Sequence, residues 1–362
     1  MKIMTVVGAR PQFIKAAAVS RVLREKHREI LVHTGQHYDE NMSRVFFDEL
    51  HIPEPDYNLA VGSGTHAHQT AAMLTGIEDL IYECQPDCLL VYGDTNSTLA
   101  GALAASKLLL PVVHVEAGLR SYNRAMPEEQ NRVLTDHLST VLFCPTDTAV
   151  ENLKKENITD GVYQVGDVMC DAVLYYRAQA EAAYGAGGVT LEALDGAPVD
   201  LPGAYYLATV HRAENTHDEK NIAEILRAFA ALDAPVVFPV HPRSRQMVTE
   251  IVKAEGYDNI LTVQPVNYLC MLYLTRHAKT VVTDSGGLQK EAYILETPTV
   301  TVRDQTEWVE TVESGYNRLC PPETRALLAA VGGMKPDQAK HRDYYGDGHA
   351  AERITEILGG MK

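Results

Sequence analysis

Residues 280–302 read TVVTDSGGLQKEAYILETPTVTV, and this stretch decides the fold. A β-branched run at 280–283 stops at Ser285-Gly286-Gly287, a helical stretch at 286–295 follows, and a second β-branched run comes at 299–302. Two short apolar strands joined through a helix make a parallel pair, because a parallel connection needs a crossover rather than a tight turn.

The same alternation extends outward in both directions. Strand-like runs at 205–209 and 236–239, with helical stretches at 219–232 and 244–255, complete one series. An earlier series has strands at 2–8, 89–92, 112–115 and 141–144, with helices at 11–24, 95–107, 128–137 and 146–155. The spacing predicts an α/β chain of two Rossmann-like, doubly wound parallel-sheet domains, 1–168 and 169–362, with the active-site cleft between them. The boundary falls near 166–173, and 183–203, rich in Gly, Ala and Pro, reads as a loop or insertion. A last helix at 350–358 is free, as far as sequence goes, to pack back on the first domain.

Length and composition agree. At 362 residues the chain exceeds one compact core, and 46% hydrophobic with 22% charged residues is globular composition. A formal charge of -16 argues against nucleic acid or an anionic membrane as partner, since no basic excess exists to neutralise extended phosphate. A phosphorylated small molecule needs only a few local cations and a helix N-terminus. The six cysteines are scattered without a CxxC pair, which reads as buried thiols in a reducing compartment, and no metal is expected. The strand-like opening and the lack of an apolar run of about 20 residues lead to an expectation of cytoplasmic residence.

Doubly wound sheets bind ligands just beyond the carboxyl ends of their strands, so the residues there are the candidates for a site. Gly8-Ala9-Arg10-Pro11-Gln12 follows the first strand; Gly8 suits a tight turn, Pro11 an early helical position, and Arg10 is either a phosphate ligand at the helix terminus or an ordinary surface arginine. Asp94 and Thr95 follow the next strand and are either helix caps or site residues. Glu116 ends a buried strand, where a carboxylate is expensive unless paired or used. Glu128 and Glu129 open a helix, where either acid can simply complement the dipole. Three acids on successive loops at one rim form a cluster suited to proton transfer, since close carboxylates split their protonation states. In the second series His211 follows a strand and is either structural or functional. The Ser285-Gly286-Gly287 turn admits close approach of a phosphate, and Glu291 is placed for a ribose hydroxyl pair. The turn is neither a P-loop nor GxGxxG, so neither ATP nor NAD is implied.

The ordered segments GARPQFIKAA, HTGQHYDENM, YGDTNST, HVEAGLRS, MPEEQNR, HRAEN, PVHPR, TDSGGLQKEA and RDQTEWVE make the chain closely similar to the non-hydrolysing UDP-N-acetylglucosamine 2-epimerases over almost its whole length. The resemblance implies a fold like the GT-B glycosyltransferases, UDP held mainly by the second domain, a homodimer, no cofactor, and a role in polysaccharide biosynthesis. Asp94, Glu116 and Glu128 match the family's catalytic carboxylates and His211 its active-site histidine. Arg10 matches a residue near the diphosphate and Lys15 a motif lysine; Ser285, Gly286 and Gly287 match the phosphate cradle and Glu291 the ribose-binding acid. Gln36, Arg212 and His241 match parts of a regulatory UDP-N-acetylglucosamine site found in some members, whereas Asp39 and its surroundings do not.

HYDEN and TEW, in place of HREML and TER, look like archaeal members and like relatives acting on UDP-2,3-diacetamido-glucuronate. GARPQ and HRAEN stand likewise for GTRPE and HRREN. The expected reaction is reversible inversion at carbon 2 of UDP-N-acetylglucosamine, giving UDP-N-acetylmannosamine through elimination and re-addition of UDP. Rival readings are a GT-B glycosyltransferase, a hydrolysing epimerase and a UDP-sugar sensor.

Overall fold

The computed structural model describes residues 1–36, 50, 52–186 and 188–361, with the side chain of Arg10 also outside the description. The chain divides into two compact units, Met1–Ala172 with Tyr344–Lys362, and Val173–Asp343.

Unit 1 is built on strands β1 (Lys2–Val7), β2 (Arg28–His33), β3 (Tyr57–Asn58), β4 (Cys88–Tyr92), β5 (Val112–Val115), β6 (Val141–Cys144) and β7 (Val162–Gln164). They form one parallel sheet in the order β3-β2-β1-β4-β5-β6-β7. The order reverses between β1 and β4, the point at which such sheets open a ligand crevice. Every residue of β4 is buried, as expected of a strand covered on both faces. The Asn96–Lys107 helix lies close on this sheet because its residues are small. A Cβ at Gly101 would already sit 3.1 Å from Val91 Cγ1.

The Ala350–Gly360 helix belongs to this unit and packs on the Arg10–Lys26 helix. His27 Nε2 lies 3.2 Å from the Thr355 carbonyl oxygen, and Asp171 caps the helix by accepting from Ala350 N (3.1 Å) and Ala351 N (2.7 Å). The division between the units falls at 172/173, inside the Val168–Tyr184 helix, rather than at 168/169, and residues from 344 onward join unit 1.

In unit 2, part of the expected loop at 183–203 is instead an antiparallel pair, β8 (Thr190–Glu192) with β9 (Pro198–Asp200). Leu191 anchors it in the core beside Leu207 and Val237, and one buried residue in β8 with none in β9 is too weak a pattern to read from sequence. The main sheet comprises β10 (Tyr206–Thr209), β11 (Val236–Pro239), β12 (Ile260–Val263), β13 (Val281–Thr283), β14 (Thr299–Thr301) and β15 (Asn317–Leu319). It is again wholly parallel, in the order β12-β11-β10-β13-β14-β15, so each unit repeats the same reversal. Two parallel sheets in one α/β chain are the expected fold class.

Candidate active site

β4 and β5 are neighbours, with Tyr92 paired to Val115, so Gly93-Asp94 and Glu116 leave the sheet at the same edge. Thr95 rather than Asp94 caps the Asn96–Lys107 helix, its hydroxyl accepting from Thr98 N at 3.4 Å. Asp94 is thereby spared from capping, and its half-buried carboxylate pairs with Arg132. Arg132 also reaches Glu129 Oε2 at 2.9 Å.

Glu116 sits at φ +71°, in the left-handed region that long side chains avoid. Such a residue costs on the order of 1–3 kcal/mol and persists where its surroundings over-determine it. Its buried carboxylate is ion-paired with Lys15 of the Arg10–Lys26 helix. Gly93 makes room for the pair: at φ +61°, a Cβ there would lie 3.2 Å from Glu116 Oε2 and 3.4 Å from Lys15 Nζ. Lys15, known from sequence only as part of a motif, thus has a defined partner.

The two acids at the start of the Pro127–Leu138 helix separate cleanly. Glu129 is buried and accepts from Ser121 N (2.9 Å), Ser121 Oγ (3.0 Å) and Tyr122 N (2.8 Å), which is structural work. Glu128 is exposed and makes no hydrogen bond or ion pair among the described residues.

Behind these groups lies a buried cluster that the sequence did not single out. His114 presents Nδ1 to Asp136 Oδ1 and Nε2 to the Gly93 carbonyl oxygen, both at 2.7 Å. Asp136 Oδ2 accepts from Gly118 N (3.1 Å) and Arg120 Nη1 (2.7 Å), and Arg120 makes a two-pronged pair with Glu156 at 2.7 and 2.8 Å. Burial alone would raise the Asp136 carboxyl, but His114 and Arg120 hold it below the usual carboxylate range.

The turn after β1 is locked by Gln12. Its Oε1 accepts from Gly8 N (2.8 Å) and Ala9 N (3.1 Å), and its Nε2 donates to the Tyr92 carbonyl (2.8 Å) and Thr98 Oγ1 (3.0 Å). Gly8 is demanded by space, since a Cβ would collide with Ser97 Oγ and Thr34 Oγ1. The expected phosphate contact of Arg10 concerns a side chain outside the described residues, as does Asp39 with its neighbours at 37–41. Gln36 is described, and its Oε1 accepts from Ser97 Oγ (2.7 Å) and Ser97 N (3.1 Å).

In unit 2, Ser285 caps the Gly286–Ile294 helix by accepting from Leu288 N at 3.4 Å. A Cβ on Gly286 would face Glu307 Oε1 at 3.4 Å, whereas one on Gly287 would meet no atom within 4 Å. Neither glycine has a positive φ, so neither packing nor backbone conformation demands glycine at 287. The bare turn keeps first-turn N–H groups open to an anion. Glu291 is buried further along the same helix, and Lys290 Nζ lies 4.1 Å from the centre of the Trp308 ring.

His211 is exposed after β10, and its position is set by Asp284, a fully buried carboxylate. Asp284 accepts from His211 N (3.1 Å), Arg212 N (3.0 Å) and Asn215 Nδ2 (3.0 Å), and its Oδ1 lies 3.4 Å from His211 Nδ1. The His211 and His241 rings are 6.0 Å apart, so His211, Arg212 and His241 share one region of this unit. Sequence reading passed over Arg132, His114, Asp136 and Asp284. Only Arg132 left a local signal, its helical i,i+3 spacing from Glu129.

Comparison with known proteins agrees with these motifs. A family model described as UDP-N-acetylglucosamine 2-epimerase matches residues 21–359. The chain is 49% identical over 361 residues to a UDP-N-acetylglucosamine 2-epimerase homolog of Methanococcus maripaludis, covering 99% of each chain. It is 46% identical over 371 residues to the UDP-2,3-diacetamido-2,3-dideoxy-D-glucuronate 2-epimerase of Pseudomonas aeruginosa, again covering 99% of each. Its fold matches the crystal structure of the Methanocaldococcus jannaschii UDP-GlcNAc 2-epimerase in complex with UDP-GlcNAc and UDP, with a TM-score of 0.88, 41% identity and full coverage of both chains. Acids held at adjacent strand ends in unit 1, an open helix terminus in unit 2 and end-to-end similarity lead to one conclusion: the chain belongs to the UDP-N-acetylglucosamine 2-epimerase family, a family of isomerases.

Proposed function

We propose that the protein interconverts UDP-N-acetylglucosamine and UDP-N-acetylmannosamine by inverting carbon 2. The observation that carries this reading is the pair of acid–cation couples, Lys15–Glu116 and Arg132–Asp94, at the ends of adjacent strands β5 and β4.

The C2 proton is not acidic, because no carbonyl adjoins it, so loss of the anomeric oxygen must assist its removal. A carboxylate takes the C2 proton, the C–H electron pair becomes the C1–C2 double bond, and the C1–O bond breaks with its pair going to UDP. The products are a 2-acetamidoglucal and UDP. A second acid then delivers a proton to the opposite face of C2, and a phosphate oxygen of UDP adds back to C1. Two faces require two acid–base groups, and we assign them to Asp94 and Glu128, with Glu116 orienting and tuning them. Among the described residues the exposed Glu128 carboxylate has no hydrogen-bond or ion-pair partner, which leaves it open to a substrate. In unit 2, His211 and the Ser285-Gly286-Gly287 terminus are assigned to the departing UDP and Glu291 to the ribose; Arg10, in unit 1, is assigned to the diphosphate from the family motif. No oxidant enters the cycle, so the chemistry balances without a cofactor.

Proton NMR of UDP-N-acetylglucosamine with the protein in deuterated water tests this directly. Deuterium should appear at C2 in both epimers while UDP remains attached at equilibrium. Epimerisation without exchange at C2 rules the route out.

The 46% identity to the diacetamido-glucuronate enzyme favours one second reading, the same chemistry on a UDP-2,3-diacetamido sugar acid. Running both nucleotide sugars in the same assay decides between them. The family resemblance further supports a homodimer acting in the cytoplasm in polysaccharide biosynthesis, with Gln36, Arg212 and His241 as the remnant of a regulatory site. Among the described residues no helix is long and apolar enough to cross a membrane.

A further inference from the structure

The geometry points to the buried His114–Asp136 pair as the positioning device that holds the Asp94 and Glu116 turns in register, a role that rests on the epimerase reading above. His114 is the next-to-last residue of β5 and is fully buried. Its Nε2 lies 2.7 Å from the carbonyl oxygen of Gly93, the residue before Asp94. Its Nδ1 lies 2.7 Å from Asp136, whose other oxygen accepts from Gly118 N at 3.1 Å, two residues beyond Glu116. One ring and one carboxylate therefore tie together the turn after β4, the turn after β5 and the Pro127–Leu138 helix, which carries Glu128 and Arg132.

The turns need such a tie. Gly93, Glu116 and Gly118 all have positive φ, at +61°, +71° and +82°. Glu116 lacks glycine's freedom, so its conformation persists only if neighbours hold it. Gly118 must also be glycine for want of space, since a Cβ there would collide with the Ala149 carbonyl oxygen. Both ring nitrogens of His114 face acceptor oxygens, so both must donate; a neutral ring would set a lone pair against one of them. Asp136 is shared between the ring and Arg120, and Arg120 in turn pairs with Glu156. Both members are buried and act through the turns and the helix that carry the acids, which makes them positioning rather than catalytic residues.

The test compares His114→Gln and Asp136→Asn with wild type in the deuterium-exchange assay, alongside Glu29→Gln as a control. Glu29 is a buried carboxylate of the same unit, bonded to Thr5 Oγ1 (2.7 Å), Ser20 Oγ (2.9 Å) and Arg24 Nε (2.6 Å), none of them a candidate site residue. The two positioning variants should lose about 100-fold in kcat, with KM and the Kd for UDP changed by less than about threefold. Glu29→Gln should lower the melting temperature with kcat nearly unchanged. Positioning variants that keep kcat within about threefold of wild type, or a control that loses kcat equally, overturn the inference. Neutron diffraction of the wild type gives a reading that needs no variant. Deuterium on both His114 nitrogens is expected, and deuterium on one alone sinks the proposal. An inactive wild type sinks the epimerase assignment and this role with it; an active wild type with active variants sinks only the role.

Discussion

Lys15 and Glu116, 101 residues apart in the chain, form a buried ion pair at the carboxyl end of β5. The Arg10–Lys26 helix brings the ammonium across to a carboxylate whose own backbone is in a disfavoured conformation. Taking one partner from a buried pair leaves an uncompensated charge, whereas removing both charges together does not.

Lys15→Met should therefore destabilise unit 1 by about 3–5 kcal/mol, and the double variant Lys15→Met/Glu116→Gln should recover much of that loss. Activity should be lost in both. Thermal melts and turnover of the two variants check this, and a double variant less stable than Lys15→Met contradicts it.

Glu128 and Glu129 should part company on substitution. Glu128→Gln, at an exposed carboxylate without a partner among the described residues, should change stability by less than about 0.5 kcal/mol. It should lower kcat by about 100- to 10,000-fold, the usual worth of a general acid or base. Glu129→Gln should instead unsettle the Ser121–Tyr122 loop and cost about 1–3 kcal/mol. The reverse ranking would move the chemistry to the neighbouring residue.

Gly287→Ala should fold as wild type, because the new methyl meets no atom within 4 Å. It should weaken UDP binding by roughly tenfold or more, by standing where the phosphate approaches the helix terminus. Titration calorimetry with UDP reads both parts. Unchanged affinity would place the diphosphate elsewhere.

Asp171, capping the Ala350–Gly360 helix, gives a pH signature. Burial pushes its carboxyl up to about 6, against the pull of the Ala351 and Ala350 N–H groups. A carboxyl raised in the folded state favours the protonated form there, so its contribution to stability is full below about pH 4. That contribution declines as pH rises through about 6, by roughly 3 kcal/mol in all. Asp171→Asn should flatten the melting curve's dependence on pH between about 4 and 6 relative to wild type. Parallel pH profiles for the two proteins count against this.

The sequence determined what is local or periodic. Alternating apolar runs settled the parallel strands, and Ser285, Gly286 and Gly287 announced an anion-ready helix start within nine residues of chain. Strand ends also pointed to Asp94, Glu116, Glu128 and His211, because a doubly wound sheet delivers its loops to one edge. Which group each of them pairs with was decided by partners that arrive from far away. Lys15 reaches Glu116 across 101 residues, Arg132 reaches Asp94 across 38, and Asp284 holds the His211 backbone across 73. Glu128 and Glu129 are adjacent and identical in sequence terms, and only the fold buries one and exposes the other. Burial, pairing and strain belong to the packed chain: desolvation and Coulomb attraction depend on distances that separation along a sequence does not encode.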